Sequence, residues 1–244
     1  MPQLPDWDRG RRTAYGLRPR LLESEPLLAD QGGMKPIPDD AFETGAHARG
    51  LRPVAGVDEA GRGPLAGPVV AAAVILPDGW RLEGLTDSKL MGPKRRLACY
   101  EVIRAEACVG IGVASVEEID ALNILRASHL AMMRALSDLS DSPAHVLIDG
   151  NLLPRDLTLP AEAIVGGDGR CLSIAAASIV AKTWRDRIMV DLAQQHPGYG
   201  WETNAGYPTK SHKSALATLG VTPHHRRSFA PVHNILYQDE NATP

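Results

Sequence analysis

Apolar positions along this chain fall into two regimes. Short, dense apolar runs at 54–57, 68–76, 109–116, 145–148 and 163–165 are bounded by Gly, Pro or acidic residues, which predicts buried strands. Longer stretches at 93–107, 116–139 and 172–195 carry apolar residues at helical spacing and predict helices. Two or three strands joined by short connections come first, and strands alternating with helices follow. That order predicts an α/β fold with a mixed sheet flanked by helices. Residues 1–50 are rich in Pro, Gly, Arg and acids without a sustained period, and are expected to form a flexible tail to which Arg11, Arg12, Arg18 and Arg20 add weak electrostatic contact. The folded domain is expected over 51–238, followed by a short tail at 239–244. Pro223 and Pro231 predict irregular structure over 222–232.

The strand ends carry the candidate chemistry. The run 54–57 stops at two adjacent acids, Asp58 and Glu59, and a turn containing Gly61, Arg62 and Gly63 follows at once. Neighbouring carboxylates repel each other unless a cation lies between them. Glycines without side chains let the backbone approach a ligand. The glycine spacing misses the dinucleotide fingerprint by one position and lacks the Gly-Lys-Ser/Thr of a phosphate-binding loop. A solvated hairpin turn is the plain alternative. The run 145–148 likewise ends in Asp149, and ligands collect beyond the carboxyl ends of strands in open α/β sheets. On the helix at 172–195, Asp186 shares a face with Ile179, Lys182 and Met189, so it either pairs with Lys182 or looks into a polar site. The small residues at 175–178 would let this helix lie close to the sheet. Three Asp and one Glu are hard oxygen ligands that select magnesium or manganese over zinc. Such a cluster suits two-metal hydrolysis of a phosphodiester.

Composition narrows the class. The chain has 244 residues, is 44% hydrophobic and 23% charged, as expected for a soluble globular protein. No apolar run approaches the roughly 20 residues that span a bilayer. Residues 1–20 are polar and do not read as a secretory leader, and three cysteines without a C-x-x-C pair suit a reducing cytoplasm. The net charge of −3 hides an uneven distribution. Between Glu202 and Asp239 there is no acid, while Lys210, Lys213, Arg226, Arg227, His212, His224, His225 and His233 are interleaved with Tyr207 and Phe229. A local cationic strip of this kind suits contact with a phosphate backbone.

The ordered blocks Gly56-Val-Asp58-Glu59-Ala-Gly-Arg-Gly63, Asp87-Ser88-Lys89, Ile148-Asp149-Gly150, Ser178-Ile-Val-Ala-Lys182, Arg185-Asp186-Arg187, Gly206-Tyr207-Pro-Thr209-x-x-His212 and His225-Arg226-Arg-Ser228-Phe229 cover about 53–232. Together they make the chain resemble the bacterial ribonuclease HII, or type 2 ribonuclease H, family. The resemblance implies a ribonuclease H-like sheet followed by a mostly helical C-terminal part, which binds substrate from about residue 190. It implies endonucleolytic cleavage of RNA in RNA–DNA hybrids and at single ribonucleotides embedded in duplex DNA. Asp58, Glu59, Asp149 and Asp186 are then the expected metal site, holding Mn2+ or Mg2+, with two ions in the catalytic complex. The turn Gly61, Arg62, Gly63 is expected at the ribose 2′-hydroxyl, and Tyr207 on the sugar beside the RNA–DNA junction. Lys89, Lys182, Lys210, His212 and Arg226 complete the expected substrate-binding set. Leu90 stands where the family often has a second lysine. The expected protein is a cytoplasmic monomer without membrane attachment. A metal-dependent DNA nuclease of the same fold and a non-catalytic hybrid binder are the alternatives.

Overall fold

A computed structural model describes residues 37–237 apart from 86, 87 and 90. The tail expected before residue 37, the residues after 237, Asp87 and Leu90 therefore lie outside the described residues. Five strands form one sheet: β1 (Val54–Ala60), β2 (Val69–Ile75), β3 (Cys108–Ala114), β4 (His145–Asp149) and β5 (Ala161–Ile164). Their order is β3-β2-β1-β4-β5, antiparallel from β3 to β1 and parallel from β1 to β5. Each run expected as a strand is one, shifted at its ends by up to three residues.

Strand β2 is buried along its whole length because both faces of the sheet are covered. Val70, Ala72 and Val74 point into a core shared with α2 (Pro93–Glu106) and α5 (Leu172–Gln195). Val69, Ala71, Ala73 and Ile75 point the other way, into a core with α3 (Val116–Leu122) and α4 (Ile124–Ser137). The two-residue period of a strand thus sends alternate positions into separate cores, which is why β2 reads as continuous apolar sequence.

Helix α5 runs under the centre of the sheet, and its first ten residues are all buried. Gly56 in β1 makes this possible, since a Cβ there would run into the backbone of Ser173 and Ile174. The single helix expected over 116–139 is two. Asn123 adopts φ 70° and turns the chain, and its side chain accepts from the N–H groups of Leu125 and Arg126 to start α4. Residues 41–48, assigned by sequence to the tail, form helix α1 (Ala41–Ala48). Its Glu43 carboxylate accepts from Ser173 N–H at 2.7 Å and so caps the start of α5, and Ala46 packs beside Val54 and Ile174. The C-terminal part is helical, with α6 (Trp201–Asn204), α7 (Lys210–Leu219) and α8 (Ala230–Tyr237). Helix α8 enters the stretch expected to be irregular, with Pro231 at its second residue, where a missing N–H costs nothing.

Candidate active site

The parallel register of β1 and β4 pairs Val57 with Ile148, so the residues that follow on the two strands are Asp58 and Asp149. Strand β4 in turn pairs Asp149 with Ile164 at the end of β5, and the chain turns there through 166–169. Asp168 enters the site from that turn. One carboxylate oxygen from each of Asp58, Asp149 and Asp168 lies within 4.8 Å of the others. Strands β1 and β4 therefore deliver one acid each near their carboxyl ends, and the turn after β5 delivers the third.

The acids are held in place but not neutralised. Asp58 is buried and accepts from Glu59 N–H at 2.7 Å, and Asp149 accepts from Gly167 N–H at 2.7 Å. Burial, with the like charges of Glu59 and Asp149, pushes the Asp58 carboxyl well above the usual range, against a hydrogen bond from Ser178. Burial and the charge of Asp168 raise Asp149, against its Gly167 N–H bond. Burial also raises Glu59, opposed by Arg62, whose Nη1 lies 3.2 Å from Oε1. The other oxygen of Glu59 is buried without a hydrogen-bond partner. Lys89 Nζ reaches Asp168 at 3.2 Å from a largely exposed position, where solvent screens the pair. Crowded carboxylates with an orphaned buried oxygen and only peripheral cations fit a hard divalent ion.

Asp186 is not in this cluster. Lys182 Nζ donates to one of its oxygens at 2.5 Å and Arg96 Nη2 to the other at 3.1 Å. Arg96 also donates to the carbonyls of Ser88 and Met91, so Asp186 anchors the segment that carries Lys89. The local pairing left open by sequence is the one formed, and Lys182 spends its charge there. Asp168 is the acid that sequence reasoning passed over. Its signal was available: Gly-Gly-Asp-Gly closes the 163–165 run just as Asp149-Gly closes 145–148.

The cationic strip divides. Lys210, Lys213 and Arg227 are exposed, and Tyr207 is 43% exposed. His212, His225 and Arg226 are fully buried and cannot contact substrate, contrary to the expectation for His212 and Arg226. His212 Nδ1 donates to the Tyr207 carbonyl, while its Nε2 faces Trp201 Nε1 at 3.0 Å and His225 Nε2 at 3.2 Å. His225 Nδ1 accepts from Thr222 N–H, so its proton sits on Nε2 and this pair is neutral; burial pushes His225 down to about 4. His212 thus ties down the backbone of Tyr207. The Tyr207 ring lies over the glycine turn, where a Cβ built on Gly63 would sit 3.5 Å from Cε1. Arg62 and Gly63 are exposed beside it, and Gly61 is buried at φ +100°.

The ribonuclease HII family model matches residues 55–232. A ribonuclease HII from Paracoccus denitrificans is 67% identical over 206 residues, which cover 84% of this chain and 98% of that protein. Among solved structures, the ribonuclease H2 of Pyrococcus horikoshii OT3 superposes with a TM-score of 0.66 at 26% identity, covering 77% of this chain and 99% of that one. The Mn2+ complex of Bst-RNase HIII shares the fold, with a TM-score of 0.63 at 17% identity over 79% of this chain and 72% of that one. No helix among the described residues is long and apolar enough to cross a membrane. The chain belongs to the ribonuclease HII family, endoribonucleases that hydrolyse phosphodiester bonds in RNA–DNA hybrids.

Proposed function

We propose that this ribonuclease HII cuts both within RNA–DNA hybrids and at single ribonucleotides embedded in duplex DNA, using Asp58, Glu59, Asp149 and Asp168 to hold divalent metal. The observation that carries the reading is the convergence of three carboxylates, from β1, from β4 and from the turn after β5, beside an exposed glycine turn covered by Tyr207. Bound Mn2+ or Mg2+, as two ions in the catalytic complex, would supply Lewis acidity at the phosphate and acidify the attacking water.

The chain's own residues do the rest. Asp58 and Asp149 are fixed by backbone N–H groups, so their charge is placed before substrate arrives. Arg62 stands beside Glu59 on the exposed turn, where a phosphate can share its guanidinium. A 2′-hydroxyl is both donor and acceptor, and a bare turn meets it with backbone groups alone. The Tyr207 ring packs on the sugar next to the ribonucleotide, and exposed Lys210 and Lys213 meet the phosphate backbone further along. Asp186 is left out of the metal set because its two cations already balance it.

The deciding experiment incubates the protein with three labelled duplexes: a hybrid, a duplex with one embedded ribonucleotide, and all-DNA. Metal-dependent cutting of the first two, abolished by chelator, is expected. Cutting of the all-DNA duplex would favour a DNA nuclease. Binding to hybrid without cutting would reduce the protein to a hybrid binder.

A further inference from the structure

Two arginines lie entirely inside the protein, Arg185 at 1% and Arg226 at 0% exposure, and the acceptors they bond are backbone carbonyls. Most of these carbonyls belong to the one segment, 61–68, that links β1 to β2. Arg226 donates from Nε to Gly67 O at 2.9 Å and from Nη1 to Arg62 O at 3.0 Å. Its Nη2 donates to Gly61 O at 2.6 Å and to Pro68 O at 3.2 Å. Arg185 comes from α5 on the other side, donating to Pro68 O at 3.0 Å, Ala66 O at 3.1 Å and Ala205 O at 2.9 Å. The main chain joins in: Arg226 N–H donates to Leu65 O, and Leu65 N–H to Gly206 O, next to Tyr207. Gly61 has to be glycine here, because a Cβ would run into the Arg185 side chain and φ is +100°.

Burying two guanidinium charges without a carboxylate is costly, and burial pushes Arg185 down to about 10 and Arg226 to about 9. A neutral polar residue would satisfy one or two of these carbonyls at lower cost. What only the five-donor fork of arginine does is gather carbonyls from both limbs of the turn onto one point. The consequence lies on the other side of the peptide plane. In a trans peptide the C=O and the next N–H point in opposite directions. Drawing Gly61 O and Arg62 O inward onto Arg226 therefore turns the N–H groups of Arg62 and Gly63 outward, on the exposed face under Tyr207.

We propose that Arg226, braced by Arg185, is a positioning residue for ribose selection: it fixes the turn so that the Arg62 and Gly63 N–H groups face the ribose as donors. The proposal rests on the reading above that this turn meets the ribonucleotide. It differs from the phosphate contact expected of Arg226 in that the side chain never touches substrate. Arg226→Lys keeps the charge but cannot span the four carbonyls, and Arg226→Met keeps the bulk alone.

The test compares two numbers for each variant in Mn2+: kcat/KM on a duplex carrying one ribonucleotide, and the inhibition constant of the same duplex made entirely of DNA. Loss of the turn's orientation is expected to cut kcat/KM by about 100-fold in Arg226→Met, with Arg226→Lys in between. The all-DNA inhibition constant and the Mn2+ concentration for half-activation should stay within about threefold of wild type, because the phosphate contacts and the acids are untouched. A merely structural role would worsen all three together. Wild-type protein that cuts all-DNA as well as the ribonucleotide duplex would refute the substrate reading itself. A selective wild type with a fully selective Arg226→Met would overturn the positioning role alone. If circular dichroism shows Arg226→Met unfolded, Arg226→Lys decides by the same ratio; unfolding of both would overturn the proposal by making Arg226 a folding residue.

Discussion

Asp168 and Asp186 present the same carboxylate in opposite settings. Asp168 projects from the turn after β5 into two other acids, with one solvent-screened lysine for company. Asp186 sits one helix away with a cation on each oxygen, both in part-buried positions. In the first setting charge is left over; in the second it is balanced within the protein. A surplus held rigidly by backbone N–H groups is a standing demand for a cation from outside. A balanced carboxylate makes no such demand, so it serves as a joint between α5 and the segment carrying Ser88 and Lys89. Charge balance, more than residue type or sequence neighbourhood, separates the acid proposed to bind metal from the structural one.

The largest expected effect tests that division directly. Asp149→Asn and Asp168→Asn keep the shape of the site and remove charge that the metal needs. Cleavage of a hybrid should fall by about 1,000-fold, equivalent to about 4 kcal/mol of barrier. Asp186→Asn should lose less than about tenfold. Equal losses in Asp168→Asn and Asp186→Asn would break the distinction.

Metal binding without turnover gives the next largest signal. Mn2+ at about 100 times its dissociation constant should stabilise the folded protein by about 2.7 kcal/mol. For a chain of this size that is a rise in Tm of about 5–10 °C. The shift should survive in Asp186→Asn and shrink sharply in Asp58→Asn and Asp168→Asn. Differential scanning calorimetry with and without Mn2+ reads it independently of activity.

Metal-free stability should separate the two settings with opposite signs. Asp186→Asn strips the counter-charge from Lys182 and Arg96, at a cost of about 1–2 kcal/mol. Asp168→Asn relieves repulsion and should be neutral or stabilising. The pH dependence follows from Asp58, Glu59 and Asp149, all raised in the fold. At a pH just above the ordinary carboxylate value of about 4, the unfolded chain has given up these protons and the folded chain still holds them. Their contribution is therefore fully present below that value and is lost as pH rises through the raised values. Chemical denaturation of chelated protein should show stability falling over that window, and Asp58→Asn should flatten the fall.

How far these settings could be read in advance depended on what each residue's neighbours were made of. The strands were legible because both faces of the sheet are covered, which writes unbroken apolar runs. Helix α5 was legible to its boundaries because its first ten residues, each small or apolar, are all buried. Asp149 is legible because it directly closes an apolar run, whereas Asp168 stands beyond Gly166 and Gly167 in the turn after β5, where its place in the site depends on how that turn folds back. Helix α1 was hidden because its main tie is one buried glutamate on the start of α5, a contact between residues 130 apart. The burial of His212 and Arg226 was not legible at all. Their partners are backbone carbonyls, a tryptophan and a second histidine, and a main-chain acceptor leaves no mark in the residue sequence. A cationic strip in sequence thus divided in space into an exposed set and a buried set with different work.

Lys182 offers the smallest and most discriminating test of the comparison. As part of the expected substrate-binding set, it should lower the salt dependence of hybrid binding when truncated, because each lost phosphate contact reduces the slope of log K against log salt by about 0.9. As the i,i+4 partner of Asp186 it is already paired at 2.5 Å, and Arg96 holds the second oxygen. Lys182→Met should then leave the salt slope unchanged and reduce stability by only about 0.2–0.5 kcal/mol, the usual worth of such a helical pair. Lys210→Ala, at an exposed position, provides the contrast in the same titration and should lower the slope. A slope that drops for Lys182→Met as much as for Lys210→Ala would mean that substrate pulls Lys182 off Asp186. Asp186 would then be left with a single cation, and the sharp line between the two carboxylates would hold only in the free protein.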